Sequence, residues 1–451
     1  MKTRTTANPV TSAVPGIQPA EFQARRARLM AELTGNDVAI VPGASIRYRN
    51  RDTEYPFRQD SDFYYLTGFD EPDSVLVLAP GSEPASTVLF CPERDPAREQ
   101  WTGERLGPER APQALGVDAA FPNSRLEEIL PRILNGRWCV HAVMGEHPEF
   151  DRRLIACAST ARARGANAGG CEFQPLQRLL HEHRLIKSPA EQQLMAAAGG
   201  IAADAHTEAM RHCRPGLSET QLEAVLVHAF MRAGARAPAY PSIVAGGRNA
   251  CVMHYVRNDS LLADGDMVLI DAGCELHHYA SDVTRTFPVN GTYSPRQRDL
   301  YDVVLAAQAE AIAAAVPGAN CTAPQYASTR VLAGGLIDLG LIPGGIDEAL
   351  ETEAYQRFTV HRCSHWLGID VHDVGDYRCN GDWRELQPGM VLTIEPGLYI
   401  PDGPEFDDVD EAWRGMGVRI EDDVLIEESG NRVLTDAVPK AADDIEALMR
   451  H

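Results

Sequence analysis

Short apolar runs alternate with helical stretches over the first 184 residues of the chain. The apolar runs that predict strands are DVAIVPG (37–43), SVLVLAPG (74–81) and STVLFCPE (86–93). The stretch SRLEEILPRILNG (124–136) predicts one of the helices between strands. This alternation is typical of an α/β domain.

A sharp helix start ends this pattern. Ser188 is placed to cap a helix, Pro189 fits its first turn, and Glu191 completes a capping box. A chain of 451 residues also exceeds one usual hydrophobic core, so two domains are expected. We therefore predict three parts: a flexible tail at 1–19, an N-terminal α/β domain at 20–184 and a second domain at 185–451.

The second domain repeats the order of its segments, which indicates an internal duplication. The first copy contains a helix capped at Ser188, Pro215-Gly216, a helix capped at Ser218 and the run GDMVLIDAG at 265–273. The second copy contains a helix capped at Ser294, Pro317-Gly318, another helix and the run PGMVLTIEPG at 388–397. Each copy predicts two helices followed by two strands, and the two halves would face each other across a pocket.

Acidic residues stand at matching places in both copies. Asp271 ends the apolar strand of the first copy and Glu395 ends that of the second. Asp282 precedes the β-like run at 284–289, and Glu421 lies in the β-like run at 418–426. A lone acid at a strand end is usually a turn residue, but chance should not place one in both copies. Because buried carboxylates need compensation, four of them predict a site for two divalent cations.

Histidines cluster near these acids. His361, His365 and His372 lie in HRCSHWLGIDVHDVG, and His254 lies in MHYVRND. On a helix, His361 and His365 would share a face and could bind one metal together, although no HExxH glutamate lies between them. An imidazole among carboxylates favours Mn, Zn, Co or Fe over Ca or Mg.

Charge and composition limit the partners. The formal net charge of -22 opposes binding to nucleic acid or to an anionic membrane. The first nineteen residues are polar and contain several prolines, and they lack the apolar core of a signal peptide. No later apolar run reaches membrane-spanning length. The ten cysteines form no CxxC pair, so reduced thiols are expected. We expect a soluble, cytoplasmic protein.

Several segments resemble the aminopeptidase P (Xaa-Pro aminopeptidase) family, which adopts the pita-bread fold: HYVRND, VLIDAGCELHHYASDVTRTFPVNG, SHWLGIDVHDVG, TIEPGLYI and GVRIEDD. The run DTEYPFRQDSDFYYLTGF resembles the first domain of that family. The resemblance covers nearly all of the chain after the tail. It implies an α/β domain, serving oligomerisation and substrate access, before an α+β pita-bread catalytic domain of duplicated ααββ halves.

The resemblance also implies a ligand set. Asp271 would bind one metal, Asp282 and Glu421 would bridge both, and His365 and Glu395 would complete the other. The two ions are usually Mn²⁺ in this family, with Co²⁺ and Zn²⁺ as alternatives. The remaining implied residues hold the substrate and the developing oxyanion, or line and brace the pocket: His254, His361, His372, Tyr240, Tyr399 and Arg419.

Two residues of the first domain complete the family pattern. The resemblance implies that Trp101 and Asp52 approach the active site of a neighbouring subunit in a homodimer or homotetramer. The alternative for Trp101 is a buried core aromatic.

The predicted function is release of the N-terminal residue from peptides with proline in the second position. A hydroxide held between two cations would attack the carbonyl, and Glu395 would carry its proton to the leaving proline nitrogen. His372 or His254 would donate to the oxyanion.

Four alternatives share the fold. A prolidase, which cuts Xaa-Pro dipeptides, has the same ligands, and the sequence does not settle peptide length. A methionine aminopeptidase would not normally carry a first domain of this size. A creatinase-like amidinohydrolase lacks the metal ligands, and a non-enzymatic binding module should have lost them.

Overall fold

The computed structural model describes residues 16–34, 36–82, 85–164 and 171–450. Contacts divide the chain into two units, Ile17–Arg184 and Leu185–His451. The first helix begins at Pro19, and residues 1–15 of the predicted tail lie outside the described residues. The roles predicted for the first domain, in oligomerisation and substrate access, stay predictions.

Helices and strands alternate in the first unit. Its helices are α1 (Pro19–Glu32), α2 (Ser61–Thr67), α3 (Pro96–Thr102), α4 (Ala111–Leu115), α5 (Leu126–Ile133), α6 (Pro148–Arg164) and α7 (Gln177–Leu185). Its strands are β1 (Asp37–Pro42), β2 (Tyr48–Asn50), β3 (Thr53–Glu54), β4 (Val75–Leu78), β5 (Thr87–Cys91), β6 (Ala119–Pro122), β7 (Cys139–Ala142) and β8 (Glu172–Pro175). The three predicted strands are β1, β4 and β5.

Six of these strands form a mixed sheet in the order β6-β5-β4-β1-β7-β8. Strand β1 pairs in parallel with β7 and antiparallel with β4. Val38 and Ile40 of β1 point to one face, because side chains alternate along a strand, and pack in a core with Leu130 of α5 and Leu154 of α6. The predicted α/β class of this domain is confirmed.

Long helices and short strands make up the second unit. Its helices are α8 (Pro189–His212), α9 (Glu219–Arg232), α10 (Pro295–Ala314), α11 (Ala323–Asp338), α12 (Ile346–Glu351) and α13 (Ala442–Met449). Its strands are β9 (Ala237–Pro238), β10 (Ile243–Gly246), β11 (Met267–Asp271), β12 (Cys274–Leu276), β13 (Tyr279–Ala280), β14 (Thr284–Pro288), β15 (Arg378–Cys379), β16 (Asp382–Trp383), β17 (Val391–Ile394), β18 (Gly397–Ile400), β19 (Met416–Arg419), β20 (Asp422–Ile426) and β21 (Asn431–Val433).

Three of the helices begin at the predicted capping boxes. At the start of α8, the Ser188 hydroxyl accepts from the Glu191 N–H at 3.4 Å, and the Glu191 carboxylate accepts from the Ser188 N–H at 2.8 Å. The same reciprocal pair of bonds starts α9 at Ser218 and α10 at Ser294. Each box satisfies backbone donors that have no partner within the helix.

The predicted duplication is confirmed. Helices α8 and α9 precede the antiparallel sheet β10-β11-β14, and α10 and α11 precede the antiparallel sheet β17-β20-β21. In front of β11 and β17, Gly265 and Gly389 adopt left-handed φ angles of 89° and 90°. Only glycine adopts this conformation without strain, so the same turn precedes the acid-bearing strand of each half.

The β-like run predicted at 418–426 is two strands instead of one. Strand β19 pairs with β18, whereas β20 pairs with β17, so the chain changes partners at Ile420. The change has its cause in the segment that these strands pair with. Pro396 separates β17 from β18 there, and proline has no N–H to continue the ladder of hydrogen bonds. Glu421 stands at this break and forms a single bridge with Thr284. This bridge joins the two halves.

No helix in the described ranges is long and apolar enough to cross a membrane. The ten cysteines all lie in the described ranges and form no disulfide there. Their reduced state stays a prediction. The cytoplasmic location stays a prediction.

Candidate metal centre

Strand β11 and the chain before β14 present two acids from the first half. Asp271 is the last residue of β11 and pairs in register with Thr284, the first residue of β14. A β-carbon at Gly273 would stand 1.7 Å from the carbonyl oxygen of Ser281. Glycine is therefore required at this crossing, which turns the chain back and brings Asp282 beside Asp271.

Strand β17 positions Glu395 and His365 from the second half. The Glu395 N–H donates to the Cys363 carbonyl at 2.8 Å, and the Thr393 N–H donates to the His365 carbonyl at 2.9 Å. The segment containing His361 and His365 thus bonds to β17 and forms no helix. His361 and His365 therefore do not share a helical face, because the backbone groups of this segment have partners on the strand.

These side chains meet in a cavity of about 510 Å³, here named the carboxylate cavity. His365 Nε2 lies 3.5 Å from Asp282 Oδ2 and 3.3 Å from Glu395 Oε1. One ligand atom each of Asp282, His365 and Glu421 lie within 4.8 Å of one another. All five residues predicted as metal ligands line the cavity: Asp271, Asp282, His365, Glu395 and Glu421.

Burial and mutual repulsion disfavour the charged forms of these acids. Burial raises the pKa of Glu395 to about 7, although the charge of His365 opposes this. Burial and then the charge of Asp282 raise the pKa of Glu421 well above its ordinary value. Burial also opposes a charge on His365, but its hydrogen bond to Asp282 and the charge of Glu395 outweigh burial and raise its pKa to about 9.

The donor set fits divalent cations. Four carboxylates with little solvent access face one another. Among the described residues, Arg419 supplies the guanidinium that bonds to one of these carboxylates, that of Asp271. One guanidinium does not balance four acids. Burial is the main cause of the raised pKa values of Glu395 and Glu421, and the charges of the neighbouring carboxylates add to it. Carboxylate oxygens with a single imidazole nitrogen suit Mn²⁺, Co²⁺ or Zn²⁺.

Arg419 and two tyrosines hold the first-half acids in place. Arg419 donates to Asp271 Oδ2 at 2.6 Å and to Tyr399 Oη at 2.9 Å. Tyr240 Oη lies 2.6 Å from Asp271 Oδ1 and also contacts the Asp282 carboxylate. Burial beside these carboxylates raises the pKa of Tyr240 well above its ordinary value, so its hydroxyl remains a donor.

His361 is a neutral imidazole of defined tautomer. Burial and then the charge of Arg419 lower its pKa to about 4. Nδ1 lies 2.8 Å from the Arg362 carbonyl, so Nδ1 carries the proton. Nε2 therefore accepts from the Tyr399 hydroxyl at 2.7 Å. The ring also stands 3.7 Å from Glu395 Oε2, on the edge of the carboxylate cavity.

His254 and His372 line the same cavity and are exposed. The His372 ring centroid lies 4.5 Å from that of His365, at an interplanar angle of 88°. Burial and then the charge of His365 lower the pKa of His372. Neither ring bonds to a carboxylate among the described residues, so both are free to face a bound molecule.

Comparison with known proteins identifies the family. Residues 193–428 match the model of metallopeptidase family M24, and residues 22–141 match the aminopeptidase P N-terminal domain. The chain is 45% identical to the Xaa-Pro aminopeptidase of Haemophilus influenzae over 429 residues, 95% of this chain and 97% of the relative. The chain belongs to metallopeptidase family M24.

Solved structures of aminopeptidases support this M24 membership. An aminopeptidase of Pseudomonas aeruginosa matches with a TM-score of 0.94 and 49% identity, covering 96% of this chain and 98% of that chain. The zinc-substituted aminopeptidase P of Escherichia coli, solved with product, matches with a TM-score of 0.93 and 43% identity, covering 96% of this chain and 99% of that chain. The predicted family, the pita-bread catalytic fold and the class of hydrolytic metallo-exopeptidase are confirmed.

Sequence reasoning missed three residues that support the ligands of this M24 site. The Thr284 hydroxyl donates to Glu421 Oε2 at 2.5 Å, and the Thr393 hydroxyl donates to Glu395 Oε1 at 3.2 Å. The Asp282 N–H lies 3.2 Å from both oxygens of Asp423. The acidic run from Glu421 to Asp423 is a signal that could have identified Asp423, whereas threonine is ordinary in strands.

Trp101 and Asp52, the two first-domain residues that the family resemblance singled out, lie in the unit Ile17–Arg184. Trp101 is on α3 and is 89% exposed, so the alternative of a buried core aromatic is wrong. Asp52 lies in the exposed turn between β2 and β3. Their predicted approach to a neighbouring subunit stays a prediction.

Proposed function

We propose that this enzyme releases the N-terminal residue from peptides with proline in the second position, at a pair of divalent cations. The convergence of four carboxylates and one imidazole in one cavity is the observation that carries the proposal. The relatives named Xaa-Pro aminopeptidase supply the substrate class. The residues that would hold the cations are Asp271, Asp282, His365, Glu395 and Glu421.

The cations, when bound, would activate a water for attack on the peptide carbonyl and would neutralise the charge that develops on its oxygen. Mn²⁺ is our proposed ion, because carboxylate oxygens dominate the donor set. Co²⁺ and Zn²⁺ accept the same donors, and the Escherichia coli relative has been solved in a zinc-substituted form.

Glu395 is the proposed proton carrier. Its Oε1 is held by the Thr393 hydroxyl at 3.2 Å and lies 3.3 Å from His365 Nε2. Its Oε2 faces the cavity edge near His361, at 3.7 Å from Nδ1. A carboxylate fixed by one oxygen can take a proton from the attacking water with the other and deliver it to the leaving proline nitrogen.

The histidines of the cavity are proposed to hold the substrate. His254 and His372 are exposed, bond to no carboxylate among the described residues and lie where a substrate oxygen would need a donor. His361 is fixed through Tyr399 and Arg419, so it presents one orientation to the proline side of the peptide.

Proline must be recognised by shape, because a peptide bond to proline nitrogen offers no N–H. The carboxylate cavity supplies apolar walls from Ile243, Met253, Val256 and Val371.

The test is metal replacement with a peptide series. Metal-depleted protein is incubated with Ala-Pro, Ala-Pro-Pro and Ala-Ala-Pro, and Mn²⁺, Co²⁺ or Zn²⁺ is added back singly. We expect no cleavage without metal, best recovery with Mn²⁺, and release of alanine only where proline is second. Full activity in a thoroughly stripped sample would contradict the metal proposal, and cleavage of Ala-Pro alone would identify a prolidase.

We further propose a homo-oligomer in which Trp101 contacts a neighbouring subunit. The full exposure of this large aromatic side chain supports a role at a surface. Trp101→Ala is expected to weaken the oligomer and to widen the range of peptide lengths accepted, measured by light scattering and by kinetics. An unchanged oligomer and length profile would remove the proposal.

A further inference from the structure

Three side chains that can bind metal lie on one face of the six-stranded sheet in the first unit. Asp37 of β1 is in register with Cys139 of the parallel strand β7, and His141 follows Cys139 by two positions. Partners in register share a face of a sheet, and so do residues two apart on one strand. One ligand atom each of Asp37, Cys139 and His141 accordingly lie within 4.8 Å of one another. We name these three residues the thiol cluster.

The spacing within the thiol cluster fits two ligands of one ion. His141 Nε2 lies 3.4 Å from Asp37 Oδ2, which is longer than the roughly 2.7–2.9 Å of a charge-assisted hydrogen bond. Two ligand atoms that each stand about 2.0–2.1 Å from a tetrahedral zinc ion are separated by about 3.3 Å. The imidazole and the carboxylate thus already have the separation that a shared zinc ion requires.

Two groups of the cluster are buried without hydrogen-bond partners. His141 is 7% exposed, and its Nδ1 has no partner in the part of the chain that the structure describes. The Cys139 thiol, also 7% exposed, makes no hydrogen bond to a described residue. Buried polar atoms usually have a partner, so an orphaned imidazole nitrogen beside a thiol and a carboxylate points to a ligand.

A second histidine–carboxylate pair in the same unit has a different arrangement. His181 Nε2 lies 3.2 Å from Asp62 Oδ2, and Arg184 bonds to the same carboxylate at 2.6 Å. The guanidinium neutralises this carboxylate, and no thiol groups with the pair among the described residues. Such a pair is complete as an ion pair, whereas the thiol cluster has donor atoms of three kinds and an unmet nitrogen.

The surroundings of Asp37 orient its carboxylate and leave a path to solvent. The Thr34 hydroxyl and N–H donate to Asp37 Oδ2 at 2.7 and 3.2 Å. The neighbouring guanidinium of Arg137 donates to the main-chain carbonyl oxygen of Asp37 at 3.2 Å. Asp37 is partly exposed, unlike the other two members of the cluster, so an ion can enter on this side.

We propose that the thiol cluster binds one zinc ion, in addition to the cations of the carboxylate cavity, through the Asp37 carboxylate, the Cys139 sulfur and a nitrogen of His141. Thiolate, imidazole and carboxylate together suit zinc, whereas Mn²⁺ prefers oxygen ligands. Burial raises the pKa of the Cys139 thiol, so zinc binding would release its proton to solvent. The ion would join β1 to β7 and stabilise the first unit.

The test uses Co²⁺ as a spectroscopic substitute for zinc in the full chain, kept under reducing conditions. A thiolate bound to Co²⁺ gives a near-ultraviolet charge-transfer absorption band. No cysteine is among the described residues that line the carboxylate cavity, so cobalt bound there gives no such band. Metal-depleted wild type is titrated beside Cys139→Ser, His141→Ala, Asp37→Asn and the control Cys157→Ser. Cys157 is a buried cysteine of α6 outside the thiol cluster.

The wild type and Cys157→Ser should show a saturable band that added Zn²⁺ abolishes. Cys139→Ser should lose the band. His141→Ala and Asp37→Asn should raise the Co²⁺ concentration at half saturation at least roughly tenfold, because even partners outside a ligand set cost roughly 10–100-fold. Circular dichroism checks that each variant is folded.

Absence of the band in the wild type would overturn the proposal, as would a band retained by Cys139→Ser. Unchanged half saturation in both His141→Ala and Asp37→Asn would overturn the ligand set. None of these readouts depends on peptide cleavage, so failure of the zinc proposal and failure of the proposed function are distinguishable.

Discussion

Two carboxylates that are neighbours in the chain, Glu421 and Asp422, lie in opposite electrostatic surroundings. Asp422 bonds to Arg285 at 2.7 Å and to Lys440 at 2.8 Å, and these cations outweigh burial and lower its pKa. Glu421 faces other carboxylates, so burial and the charge of Asp282 raise its pKa. Asp422 therefore has cationic partners, whereas Glu421 has acidic neighbours.

Strand geometry produces this separation. Successive side chains of a strand point to opposite faces, so Thr284 donates to Glu421 while Arg285 pairs with Asp422. One face carries a neutralised ion-pair cluster that stabilises the fold. The other carries acids whose charge is left for a ligand. The contrast indicates that the carboxylate cavity is built to bind cations.

Removal of the Glu421 carboxylate tests the acids that face the carboxylate cavity. Glu421→Gln deletes a proposed ligand, so kcat/KM should fall roughly 10³-fold or more, beyond the ~10²-fold cost typical of partners outside the ligand set. The free energy of unfolding of the metal-free protein should not fall, because a repelling buried carboxylate is lost. The matched control is Glu427→Gln, at a half-buried glutamate just past β20 that pairs with Arg432. Equal activity of the two variants would contradict the proposal.

Removal of Asp422 breaks the opposite side. Asp422→Asn leaves the buried Arg285 and the half-buried Lys440 without their counter-ion, which should cost about 3–5 kcal/mol of the free energy of unfolding. Urea denaturation at neutral pH measures the loss. A change below about 1 kcal/mol would mean that this cluster behaves like an exposed pair.

An imidazole that bonds to no carboxylate should affect rate and not metal binding. His372→Ala is expected to lower kcat roughly 10²-fold, because an oxyanion donor acts in the transition state. Its metal content should equal that of the wild type. Elemental analysis beside kinetics measures both quantities, and an emptied metal site in His372→Ala would show that the ring is a ligand.

A buried group without a charged partner should remain neutral. His206 donates to the Ala272 carbonyl at 2.9 Å, and burial is the main cause that lowers its pKa to about 4. The unfolded chain takes up this proton near pH 6.5, so the stabilisation is complete above that pH and is lost as pH falls towards 4. Between pH 7 and 5 the loss should be about 2 kcal/mol. His206→Gln should show a correspondingly smaller fall, measured by urea denaturation at both pH values.

The elements that local sequence determines were predictable. Ser188, Ser218 and Ser294 define helix starts through neighbouring residues alone, and Asp271 and Glu395 end strands whose apolar pattern is continuous. Such features depend on contacts within a few residues, so one sequence is enough to find them.

Features that depend on distant contacts were not predictable. The bond from Thr284 to Glu421 spans 137 positions. The break at Ile420 depends on Pro396 in another strand, and the irregular path of His361 depends on bonds to β17. None of these features has a periodic pattern in the sequence.

Metal content tests the central claim most directly. Wild type, Glu421→Gln and Asp422→Asn are equilibrated with Mn²⁺, freed of excess ion and analysed for metal per folded chain. The account predicts two ions in the wild type and in Asp422→Asn, and fewer than two in Glu421→Gln. A wild type that holds no ion, or an Asp422→Asn that loses its ions while Glu421→Gln keeps both, would contradict it.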